Sequence, residues 1–63
     1  MSDQTKAEQD RIKATDLYHE GLKLEREYDY RGARRRFEQS LELCDDEEVM
    51  AAYLRVLSAI GPK

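Results

Sequence analysis

Sixty-three residues allow one domain at most, near the lower limit for independent folding. Charged residues make up 40% of the chain with a net charge of only −3, which argues against a nucleic-acid binder with its strongly basic face, and no apolar run approaches the ~20 residues that insert across a membrane. One cysteine, Cys44, rules out an internal disulfide, and one histidine, His19, leaves too few ligands for a Cys/His zinc site.

In chain order, residues 1–6 are polar and expected to be disordered, and residues 7–61 form a single domain. From residue 7 to Tyr28 the chain reads as a long helix. Ala7, Ala14, Leu17, Gly21, Leu24 and Tyr28 recur at steps near three and four, and Ile12, Tyr18 and Leu22 widen the stripe. Thr5 with Glu8 has capping-box spacing, and Ser2 is an equal candidate for a longer start. Asp29 is the natural N-cap of a second helix, about Tyr30 to Leu43, whose expected buried face is Tyr30, Ala33, Phe37, Leu41 and Cys44. Gly32 in its first turn costs roughly 1 kcal/mol against alanine, a cost expected to be tolerated because the helices approach each other there. Asp45 and Glu48 repeat the capping-box spacing and open a third helix with Val49, Met50, Tyr53, Leu54, Val56, Leu57 and Ile60 as apolar positions. Gly61-Pro62 is a helix stop. No stretch alternates with the period of a strand. The expectation is an all-α, antiparallel three-helix hairpin or bundle with very short turns.

Gly21, Ala33 and Phe37 carry the strongest pattern, because a small residue on one helix facing a small and a large one on the next specifies a close crossing. On these residues the chain resembles a tetratricopeptide repeat, a helix–turn–helix unit of about 34 residues. Leu17, Gly21 and Leu24 match that family's first helix, and Ala33 and Phe37 its second. Asp29-Tyr30 resembles the usual opening of the second helix, and Ser40 stands where a small alanine is common. Asp45 departs from the proline often found there, and one period beyond Gly21 stands Arg55, too large for a second crossing. The third helix therefore looks like a capping helix. A weaker resemblance is to the MIT domain, a three-helix module of membrane-trafficking complexes, through Ala14, Leu17, Asp29, Tyr30 and Ala33; Arg55 directly follows Tyr53-Leu54, where that family often has one residue between.

The resemblance implies a protein–protein interaction module, an adaptor, scaffold or regulator, that takes a partner helix or peptide along its first helix. The matching face carries Tyr18, Leu22 and Glu25, with Thr15 beside them. Tyr18 and Leu22 replace the Lys and Asn of carboxylate-clamping repeats, so an apolar or amphipathic helix fits better than a peptide terminus. The other reading of Tyr18 and Leu22 is packing against the third helix. That helix has a face wider than one neighbour covers: Met50, Tyr53, Leu54 and Leu57 are the candidate partner-binding residues for self-association as a homodimer or for docking. Arg31, Arg34 and Arg35, with Arg36, form a basic cluster opposed by the acidic run Asp45–Glu48, and Arg34 has i,i+4 spacing to Glu38. These arginines read as a solvated face or as electrostatic contacts that orient association. The competing class is a structural or assembly subunit, or a small helical chaperone, completed by a larger partner.

Catalysis has no support: His19 falls on a polar helix face, Cys44 reads as a buried small apolar residue, and the three glycines have structural explanations. No catalytic residue, cofactor or metal is expected. The unpaired thiol and the polar start, Met1 to Lys6, without a signal sequence's apolar stretch favour a cytoplasmic location.

Overall fold

A computed structural model describes the backbone over residues 2–61 and the side chains over residues 6–61. Three helices follow in order: α1 (Ser2–Arg26), α2 (Tyr30–Leu43) and α3 (Glu47–Ile60). Helix α1 spans Ser2–Arg26, beginning ahead of the expected start at residue 7, and the side chains of the candidate caps Ser2 and Thr5 lie outside the described residues. The expected extension of this helix to Tyr28 does not occur. Asp29 N–H donates to the Leu24 carbonyl at 2.8 Å and Tyr28 N–H to the Glu25 carbonyl at 3.0 Å. This 6→1 and 5→2 pair is a Schellman closure, whose geometry demands a left-handed residue. Tyr28 occupies that place with φ 67° and is 79% exposed, its ring edge-on to Tyr30 at 6.3 Å. It belongs to the turn and not to the buried stripe.

Asp29 caps α2 as its sequence position implies, Oδ1 accepting from Gly32 N–H at 3.2 Å. The reason for Gly32 differs from the expected helix crossing. A Cβ there would stand 2.6 Å from Asp29 Oδ2, so the missing side chain makes room for the cap itself. Helix α3 is capped by Asp46 rather than Asp45, its Oδ1 accepting from Glu48 N–H at 2.9 Å. The cap therefore falls one residue later than the Asp45–Glu48 spacing implied. Glu47 and Glu48 occupy the first turn, where the helix dipole favours negative charge. Gly61 ends α3 at φ 93°.

The three helices lie side by side with α2 packed on both neighbours, giving an elongated body of 45 × 19 × 15 Å. Gly21 meets Phe37 and Ala14 meets Ser40, so α1 and α2 run antiparallel. Glu25 reaches Arg55 near the ends of α1 and α3, which therefore run parallel. The close crossing is present: a Cβ added at Gly21 would overlap Phe37, 2.7 Å from Cδ1 and 2.9 Å from Cζ and nearer still to Cε1. Around it Ala33, Phe37, Val49, Ala52 and Val56 form the buried cluster, with Tyr18, Leu22, Leu24, Tyr30, Leu41 and Tyr53 packed against its edges. Of the expected α2 face, Ala33 and Phe37 are fully buried, while Tyr30, Leu41 and Cys44 are half-exposed. Ser40 takes the third buried place on α2, its hydroxyl donating to the Ala14 carbonyl at 2.8 Å. Cys44 is drawn out of the core because it is the C-cap of α2, with extended backbone.

Candidate functional site

The apolar positions of α3 divide into an inner and an outer set. Val49, Ala52 and Val56 are buried against α1 and α2, and Tyr53 and Leu57 are half-buried. Met50 and Leu54 remain 40% and 56% exposed. Successive helical positions differ by about 100°, so a helix with this many apolar residues keeps an uncovered shoulder when one hairpin packs on it. Tyr53 lies on the α2 side of α3, its hydroxyl donating to Glu38 Oε2 at 3.0 Å. That hydrogen bond to a carboxylate, with desolvation and the Glu38 charge, pushes the phenol above its ordinary range. Arg55 turns the other way, toward α1. The uncovered shoulder therefore faces away from α1.

The α1 residues expected to line a groove are largely spoken for. Tyr18 and Leu22 are half-buried against the core cluster, and the Tyr18 ring is 5.9 Å from that of Phe37. Glu25 is engaged by Arg55, whose Nε and Nη2 each donate to one carboxylate oxygen at 2.7 Å. Thr15 is exposed beside an open cleft of about 450 Å³ between α1 and the α2–α3 turn, lined also by Ile12, Tyr18, Cys44, Asp46 and Val49. A second cleft of about 310 Å³ continues it along α1 past Ala7, Arg11, Leu43 and Cys44. Among the described residues no group of three or more His, Cys, Asp or Glu side chains is placed to hold a metal ion. His19 is exposed.

The basic cluster spreads as helical geometry requires. Arg34 approaches Glu38 at 3.8 Å, the i,i+4 pair read from the sequence. Arg36 reaches across to Glu20 on α1 at 3.1 Å. Arg31 and Arg35 are exposed, and among the described residues neither forms an ion pair. Because α2 runs antiparallel to α3, its arginine-rich start lies beside the end of α3, and its Glu42 beside the acidic turn Asp45–Glu48. The molecule thus has a basic end and an acidic end.

Sequence spacing gave no sign of the Glu25–Arg55 and Arg36–Glu20 pairs, since each joins residues that only the packed helices bring together. The Arg55 hydrogen bond and charge hold the Glu25 carboxyl below its ordinary 4.5, against a smaller opposing effect of burial. A carboxyl with a depressed folded-state pKa adds stability above its unfolded pKa and loses it as pH falls through the folded value. Wild type is therefore expected to exceed Glu25→Gln by up to about 1 kcal/mol at neutral pH, the upper range for a largely solvated ion pair. Urea unfolding of both chains as a function of pH checks this. The gap should narrow as pH falls below the ordinary 4.5 and close once it has passed the lowered folded-state value, and a gap independent of pH would reject the contribution.

Compared with protein-family models, curated proteins and solved structures, the chain matches none. Among the described residues no helix is long and apolar enough to cross a membrane.

Proposed function

We propose that this chain is a small cytosolic protein–protein interaction module, an adaptor or regulator, that receives a helix on the outer shoulder of α3. The observation that carries the proposal is the exposure of Met50 and Leu54 on a helix whose opposite face is sealed by Val49, Ala52 and Val56. Exposed apolar side chains grouped on one face of so small a body are the usual mark of an interface. The resemblance of α1 and α2 to a tetratricopeptide hairpin supports an interaction role in general, that family being one of partner-binding modules. Tyr18 and Leu22, half-covered by the core, leave α1 as a secondary edge.

A photo-reactive benzoylphenylalanine at Leu54 is expected to form covalent adducts with a bound protein in the native cell, while the same group at exposed Lys13 forms none. Adducts at neither position would overturn the proposal. A second reading, an assembly subunit or small chaperone completed by a larger partner, draws on how little the chain buries: among the described residues Phe37, Val56 and Ser40 are the largest fully enclosed side chains. Cooperative thermal melting of the isolated chain at micromolar concentration favours the module; a gradual melt that sharpens only with partner favours the subunit.

A further inference from the structure

The outer shoulder of α3 is one narrow seam. Met50, Leu54 and Leu57 follow at steps of four and three, the spacing by which one helix presents a single stripe to another. The stripe sits about the middle of Glu47–Ile60: Met50 is three residues from one end and Leu57 three from the other, with Tyr53 and Leu54 at the centre. Two copies of α3 laid antiparallel would overlap along their whole length, Met50 of each against Leu57 of the other and the two Leu54 side chains beside the two-fold axis. A two-fold interface needs such self-complementarity, the same patch serving both sides.

Charge selects the same arrangement. Asp45, Asp46, Glu47 and Glu48 stand at the start of α3, and Arg31, Arg34 and Arg35 stand beside its end on the antiparallel α2. An antiparallel pair sets the acidic end of each copy against the basic end of the other. A parallel pair would set acid on acid, and like charges at an interface are strongly disfavoured. Arg31 and Arg35, exposed and outside the chain's own ion pairs among the described residues, are placed to answer the partner's carboxylates.

We infer that the helix received on α3 is α3 of a second copy of this chain, docked antiparallel about Leu54, with the acidic turn of each copy facing the α2 arginines of the other. This inference rests on the interaction-module reading and narrows it to self-association.

Sedimentation velocity across concentration tests it. The wild-type mass is expected to rise from one chain, 7.4 kDa, to two, and Leu54→Asp to stay at one chain with its helical circular dichroism intact. Arg31→Glu with Arg35→Glu should weaken association at least tenfold at low salt, and adding Asp45→Lys with Glu47→Lys, which leaves the Asp46 cap in place, should recover it. For direction, in a Cys44→Ser background, Met50→Cys and Leu57→Cys chains should form a mixed disulfide on mild oxidation but not self-disulfides. Self-disulfides without the mixed one would reject the antiparallel arrangement. A one-chain mass at every concentration overturns the inference outright. If the benzoylphenylalanine at Leu54 then marks a different protein, the module reading survives without it; if it marks nothing, both fall.

Discussion

Phe37→Ala is expected to leave the chain mostly unfolded at room temperature. The ring is wholly enclosed, seated in the notch that Gly21 leaves on α1 and bordered by Tyr18. Emptying such a site costs about 3–5 kcal/mol in lost burial and residual cavity. A domain of this length holds only about 0.05–0.15 kcal/mol per residue, so that cost approaches everything the fold has. The notch can be attacked from its other side. Gly21→Ala drives a methyl into the Phe37 ring and should cost about 1–3 kcal/mol by overpacking. Because the two residues share one space, Gly21→Ala should cost less in a Phe37→Leu background than in wild type. A double-mutant cycle by urea unfolding reads the coupling, expected to exceed about 0.5 kcal/mol. Strictly additive effects would show that the crossing does not rest on this fit.

Ending the chain at Cys44 should abolish folding altogether. Three of the five residues in the buried cluster, Val49, Ala52 and Val56, belong to α3. Their removal opens one side of Ala33 and Phe37 to water and leaves α2, at 14 residues, near the length where an isolated helix is marginal. The expected result is a far-UV circular dichroism signal lower than the loss of α3's 14 residues explains, with no cooperative transition on heating. A truncated hairpin that melts sharply would mean α3 is an accessory to a self-sufficient pair. Full-length folding with truncated unfolding makes the three helices one unit.

The parts of this fold that could be read from the sequence are those set by local chemistry or by steric necessity. Asp29 announces its cap because its carboxylate satisfies an amide three residues on, and Gly21 with Phe37 announces a crossing because a ring needs a vacancy. The Asp46 cap lay within one residue of the expected Asp45, adjacent aspartates being equivalent until the backbone chooses between them. Tyr28 was not legible, since a Schellman closure ordinarily advertises itself with glycine or asparagine and here uses a residue that mimics a stripe position. Ser40 follows Ala33 and Phe37 at the spacing of a buried stripe, but its hydroxyl hides that place from an apolar pattern. For the candidate surface, the excess width of α3 was visible in the sequence. Which edge stays bare was not, because that depends on Tyr53 turning to Glu38 on α2 while Arg55 turns to Glu25 on α1.

The contact between Ser40 and the Ala14 carbonyl decides more than its modest strength suggests. Greasy surfaces slide: two apolar helices displaced by a turn, about 5.4 Å, keep much of their burial. A hydroxyl sealed from water does not tolerate that, since a stranded donor costs about 1–3 kcal/mol. Only one vertical setting of the hairpin puts Oγ 2.8 Å from that oxygen. The serine therefore works as a detent, locking the helices against slippage and giving a chain with few large core residues one register instead of several.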